Sequence, residues 1–186
     1  VANAAPTLIM DLAIDRARIR PSFDGRDRDP TKPAWSRELN TYVVCRLCTW
    51  LLSDEADGGD ARASTASFEL GQLRTAVCWG SRAPRYRFRH SAPTALPAGE
   101  ARPPAEQELV FEVWSVADET HAEDLVGLVR CPLRVPAGLP GQLHAASLLD
   151  GAHSIVEPFE QAVCGTLHVR LRLGTPTQLA RSQRLL

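Results

Sequence analysis

The pattern of residues along this chain points to an all-β antiparallel sandwich, for three reasons. Apolar and polar residues alternate at a period of two in segment after segment, as strands that bury one face require. Gly, Pro or charged residues bound most of those segments, and only two short stretches favour helix. Seven or eight strands with so little helix imply two packed sheets, here with long loops and a short C-terminal helix.

The first strand is expected over Leu8 to Ile14, where Leu8, Met10, Leu12 and Ile14 share one face and Asp11 and Ala13 the other. Thr41 to Thr49 is rich in β-branched and aromatic residues, and Val43, Cys45 and Leu47 fall on its inner face. Further strands are expected over Thr75 to Trp79, Tyr86 to His90, Leu109 to Trp114 and Leu125 to Cys131. The last, Thr166 to Leu173, alternates most cleanly: Leu167, Val169, Leu171 and Leu173 point inward, His168, Arg170 and Arg172 outward.

Three connections exceed ordinary loop length, roughly Arg16 to Asn40, Ser53 to Arg74 and Ser91 to Gln107. The first is charged with three prolines, the second holds Gly58 and Gly59, and the third carries Pro93, Pro97, Pro103 and Pro104. Helix is expected only at Ala145 to Leu149 and from about Thr177 to Leu186, with Pro176 near its first turn.

At 186 residues the chain can bury one substantial core, so a single domain over residues 1–186, with its core at about 7–174, is expected. Lys and Arg total 21 against 22 Asp and Glu, so no global field draws the chain toward nucleic acid. The opening VANAAP, without Met, leads us to expect a fragment of a larger multidomain protein. No apolar run approaches the ~20 residues of a membrane-spanning helix. The five cysteines sit mostly in apolar segments, as buried free thiols do in a reducing cytoplasm.

The order of segments resembles the C2 domain family. Val113-Trp114, a charged loop, and then Asp124-Leu125-Val126-Gly127 match its late strands. Asn40-Thr41-Tyr42-Val43 stands where Asp-Pro-Tyr-Val often opens its second strand, and Gly165-Thr166-Leu167-His168-Val169-Arg170-Leu171 matches its closing pattern. The resemblance implies an eight-stranded Greek-key sandwich of C2 type. Tyr42-Val43-Val44-Cys45-Arg46-Leu47, the turn Trp79-Gly80-Ser81-Arg82-Ala83-Pro84 followed by Tyr86 and Phe88, and the ending Leu148-Leu149-Asp150, Ser154-Ile155-Val156 and Gln178 to Leu185 are similar to C2 modules of centriolar scaffolds. That resemblance implies a role in centriole elongation, distal appendage assembly and ciliogenesis, with other centriolar proteins as partners, at the centrosome and basal body.

Calcium-binding members gather carboxylates in apical loops, because the ion takes six to eight oxygen ligands. The positions matching that pattern hold Asn40, Ser115 and Ala117, so no metal or cofactor is expected. Asp118, Glu119, Glu123 and Asp124, with Asp24, Asp27 and Asp29 of the first loop, are either a displaced cluster or a solvated acidic rim.

Arg85, Arg87 and Arg89 alternate with Tyr86 and Phe88, which predicts three guanidinium groups on one outer face, with Arg82 and His90 beside them. Such a row can contact phosphates or carboxylates bidentately, or be merely solvated. For a C2 domain the resemblance implies anionic lipid headgroups as the alternative partner of this strand. Whether Arg170 and Arg172 join it is open at this point.

Cys45 and Cys48 have Cys-x-x-Cys spacing, but residues three apart in a strand face opposite ways and cannot easily grip one ion. His90, His121, His144, His153 and His168 are scattered, and no hydrolase elbow or phosphate loop occurs, so catalysis has no candidate residues. The expected function is a non-enzymatic, calcium-independent interaction module.

Overall fold

The computed structural model describes residues 8–20, 39–51, 64–66, 73–94, 106–117, 121–133, 142 and 144–183. The strands are β1 (Leu8–Ile19), β2 (Thr41–Leu51), β3 (Ser64–Ala66), β4 (Leu73–Arg74), β5 (Arg85–Thr94), β6 (Glu106–Val116), β7 (Glu123–Leu133), β8 (Ala146–Val156) and β9 (Val163–Gly174), followed by helix α1 (Pro176–Gln183). Eight run antiparallel in the order β3-β2-β6-β7-β8-β9-β1-β5, with the two-residue β4 paired beside β2. Among the described residues β7 pairs with β8 only at Leu128 and Val156, so the curled sheet works as two layers, β3-β2-β6-β7 and β8-β9-β1-β5.

Alternation builds the core between the layers. Leu12, Ile14, Val43, Leu109, Phe111, Val113, Leu167, Leu171 and Leu173 are wholly buried there. Full burial of such a side chain is worth about 1.5–3 kcal/mol, which makes this face the main source of stability. A second link joins the layers: the Tyr86 and Thr41 hydroxyls lie 2.9 Å apart, buried.

Two motif glycines are required by close approach. A Cβ on Gly127 would lie 2.7 Å from Ile155 Cγ2 and 2.8 Å from the Val156 carbonyl, where β7 crosses to β8. A Cβ on Gly165 would collide with the Arg18 carbonyl, where β9 lies against β1.

Four local expectations need correction. β1 runs on to Ile19, because a bulge between Ile14 and Arg16 shifts the alternation and returns Ala17 and Ile19 to the core. The stretch Ala145 to Leu149 is no helix; Ala146 begins β8, whose ladder with β9 overrides the helix preference of Ala and Leu. The connection Ser53 to Arg74 contains β3 and β4.

Thr75 to Trp79 follows β2 without forming a regular strand. The Thr75 amide donates to the Val43 carbonyl at 2.9 Å, but the Val43 amide donates to the Thr75 hydroxyl at 3.0 Å, so a side chain replaces the backbone acceptor. Only Cys78 then bridges to Thr41.

Helix α1 is closed by a reciprocal cap. The Gln178 amide donates to Thr175 Oγ1 at 3.3 Å, and the Thr175 amide donates to Gln178 Oε1 at 2.7 Å. This is a capping box with Pro176 at the first helical position.

Candidate functional site

Among the described residues, the outer face of β8-β9-β1-β5 carries most of the arginines, and strand register assembles them. Arg89 pairs with Ala13, Ala13 with Arg170, and Arg170 with Asp150, making one row across four strands. A second row runs Arg85, Arg16, His168, Ala152. A third runs Ser91, Asp11, Arg172, Ser147.

The third row is closed by its own charges. Arg172 is 7% exposed, and its Nη2 donates to Asp11 Oδ2 at 2.5 Å, while Ser91 Oγ donates to Asp11 Oδ1 at 2.8 Å. Burial raises the Asp11 carboxyl pKa, but the hydrogen bonds from Arg172 and Ser91 and the arginine charges outweigh it and hold the group below its ordinary value.

The first two rows stay open. Arg16, Arg18, Arg85, Arg87 and Arg89 are exposed and Arg170 is half-buried; among the described residues none of the six makes an ion pair. Ala13, flanked by Arg89 and Arg170, has only a methyl group to fill its place, and a hollow of about 240 Å³ opens there. Arg87, Arg89, His168 and Arg170 line it together with Asp15 and Asp150. A neighbouring depression of about 390 Å³ is lined by Arg16, Arg18, Arg85 and Thr166, and His168 borders both.

The backbone is specialised at this hollow. The ladder between β1 and β5 shifts register between Ile14 and Arg16, opposite Phe88 and Arg85. Within that shift Arg87 takes φ 50, a left-handed conformation uncommon for a side-chain-bearing residue. Bulges of this kind re-aim a side chain, and here the side chain is an arginine of the hollow.

The row predicted from sequence is therefore only part of the basic face. Arg85, Arg87 and Arg89 lie on it as the alternation requires. Arg82 precedes β5, and its Nη1 donates to the Arg20 carbonyl at 3.0 Å, tying down the end of β1. His90 lies on the side of Phe88, with the two rings stacked at 6.5 Å between centroids. Arg16, Arg18, His168 and Arg170 come from β1 and β9, and Arg172 is withdrawn into its pair with Asp11. The alternations Arg16-Ala17-Arg18 and Arg170-Leu171-Arg172 carried a signal, but only register places them beside β5.

At the apical end, Asn40 holds structure together. Its Oδ1 accepts from the Gly80 amide at 2.8 Å, and its Nδ2 donates to the Val116 carbonyl at 3.3 Å, a bond no carboxylate could donate. Ser115 donates to the Asp124 carbonyl at 3.4 Å, and the Ala117 amide donates to the Ala122 carbonyl at 2.9 Å. Arg74 pairs with Glu123 at 3.4 Å and stacks on the Tyr42 ring at 3.8 Å. Asp24, Asp27, Asp29, Asp118 and Glu119 lie outside the described residues.

Cys45 is buried in the core, its thiol pushed up to about 12 by burial and by the neighbouring Cys131 and Cys48, whereas Cys48 is half-exposed on the other face of β2. The Cys-x-x-Cys spacing thus brings no paired sulfurs together. No helix among the described residues is long and apolar enough to cross a membrane.

No protein-family model matches the chain. Over 147 residues, 70% of this chain, it is 26% identical to C2 domain-containing protein 3 of Xenopus tropicalis, of which the match spans 6%. A solved structure described as "CC2D1B coordinates ESRCT-III activity during the mitotic reformation of the nuclear envelope" superposes over 99% of this chain and 62% of that one, at 16% identity and a TM-score of 0.52. The C2A domain of plant Extended Synaptotagmin 1 covers 92% of this chain and 98% of its own at 14% identity and a TM-score of 0.49. The fold is the eight-stranded antiparallel sandwich of C2 domains.

Proposed function

We propose that this C2-type sandwich is a non-enzymatic, calcium-independent docking module of a centriolar scaffold, and that it engages partner proteins through the basic outer face of β8-β9-β1-β5. One observation carries the reading. Pairing of β9 with β1 lines up Arg170 and His168 with Arg89 and Arg85 across a shallow, unfilled surface. Guanidinium groups from three strands that make no ion pair among the described residues favour an anionic partner by charge complementarity.

The centriolar part of the proposal draws on the similarity to C2 domain-containing protein 3, of which the matched stretch is a small portion. Calcium independence draws on Asn40, whose amide is committed to Gly80 and Val116, and on Ser115 and Ala117 at the other matching positions.

The test is proximity labelling in ciliated cells by this chain fused to a biotin ligase. Labelling of centriolar proteins is expected, and its loss when Arg85, Arg87 and Arg89 become Glu with an unchanged melting midpoint. Equal labelling by the variant would remove the basic face from the proposal. Absence of centriolar labelling, with salt-sensitive sedimentation on phosphatidylcholine vesicles containing phosphatidylinositol bisphosphate, would replace protein docking by lipid binding.

A further inference from the structure

We infer that the Ala13 hollow is a phosphate-binding site that receives a phosphorylated serine or threonine of an extended partner peptide. The inference rests on the docking function proposed above and assigns its ligand. Four observations lead to it.

The hollow lies where one small residue interrupts a row of large ones. Ala13 occupies the place between Arg89 and Arg170, so a cavity of about 240 Å³ forms between two guanidinium groups. That volume is below the ~300–1,000 Å³ of sites for drug-sized ligands, and suits one compact group.

The arginines of the lining are uncommitted. Arg87, Arg89 and Arg170 come from two strands on opposite sides of β1, His168 adds ring nitrogens, and the arginines make no ion pair among the described residues. Several arginines around one hollow match the three acceptor oxygens of a phosphate ester better than a planar carboxylate, which one guanidinium satisfies. Clustered arginines are a recurring means of recognising phosphorylated motifs.

The backbone is strained at the same spot. Arg87, which lines the hollow, holds φ 50 within the bulge. Strain of this kind persists only where the surrounding structure enforces it, and it clusters at ligand-binding sites.

The shape favours a peptide over a lipid headgroup. His168 lines both the hollow and the depression bordered by Arg16, Arg18 and Arg85, so the two adjoin. From Ala13 to Arg18 β1 advances about 16 Å at ~3.3 Å per residue, the span of about five extended residues. Asp15 and Asp150 stand in the hollow among the arginines. These two carboxylates oppose a headgroup with several phosphates, but can pair with basic residues flanking a single phosphoresidue.

Fluorescence anisotropy on the full 186-residue chain tests this, using a labelled heptapeptide pool with central phosphoserine and three random residues on each side, and the same pool unphosphorylated. The phosphorylated pool should bind at least ten-fold tighter. Ala13→Leu, which fills the hollow without removing a charge, should lose at least ten-fold, and Arg170→Gln likewise, while Arg46→Gln on the other layer should bind as the parent does. Melting midpoints identify any variant that has lost its fold, and Ala13→Ser, which keeps the space, should retain binding. Equal affinity for both pools, an indifferent Ala13→Leu, or binding only to phosphatidylcholine vesicles carrying phosphatidylinositol bisphosphate would each overturn the inference. Failure here with intact, arginine-dependent centriolar labelling would leave the docking function standing.

Discussion

Asp11 and Arg172 lie 161 positions apart in the chain and meet as an ion pair 2.5 Å long. Removing one partner of such a part-buried pair leaves the Arg172 charge without compensation, so Asp11→Ala is expected to cost about 1–3 kcal/mol in urea unfolding. Arg172 Nε and Nη1 have no partner among the described residues, so the pair is imperfectly satisfied. The double change Asp11→Leu with Arg172→Met should therefore cost far less than Asp11→Ala alone. Equal losses would show that the site contributes packing and no charge compensation.

The same pair predicts an acid limb. The folded state holds the Asp11 carboxyl below its ordinary value of 3.8, so its contribution is complete above that value and is lost as pH falls through the folded pKa. Unfolding free energy measured from pH 6 down to pH 2.5 should drop more steeply below pH ~4 in the parent than in Asp11→Asn. Parallel curves would contradict the assignment.

Tyr86→Phe removes the hydroxyl that meets Thr41, which is itself wholly buried. A lone buried hydroxyl costs about 1–3 kcal/mol, and a double-mutant cycle with Thr41→Val should return part of that loss. A cycle with no coupling would mean that the two layers are held by apolar packing alone.

Thiol labelling should separate the five cysteines. Cys48 and Cys78 are partly exposed, whereas Cys45, Cys131 and Cys164 are buried, with burial pushing Cys45 to about 12 and Cys131 to about 11. Iodoacetamide at pH 8 followed by mass spectrometry should modify Cys48 and Cys78 in the folded chain and the other three only after unfolding. Rapid labelling of Cys45 in the native state would contradict its place in the core.

Gly127→Ala forces a Cβ against Ile155 and the backbone of Val156 at the crossing between the layers. Overpacking of this kind costs about 1–3 kcal/mol, and a chain of this size should lose roughly 2–4 °C of melting midpoint per kcal/mol. Differential scanning fluorimetry would read the shift, and an unchanged midpoint would show that the layers can separate without cost.

Alternation is a local property, so it was legible wherever a strand kept one face inward. Leu167 to Leu173 and Val43 to Leu47 needed nothing beyond their own spacing. Where a ladder shifts register, the reading stopped or changed kind. The bulge after Ile14 hid the second half of β1, and the shifts in β8 disguised a strand as a helical stretch.

Residue spacing along the chain was enough for the sandwich class, the inward faces of its main strands, the outward side of Arg85, Arg87 and Arg89, and the separation of Cys45 from Cys48. All of these follow from the two-residue period of an extended chain. That β1 lies between β5 and β9 emerges from the packed fold, because strand neighbours are chosen by long-range burial. That choice set Arg170 beside Ala13 and Arg89 and withdrew Arg172 to Asp11.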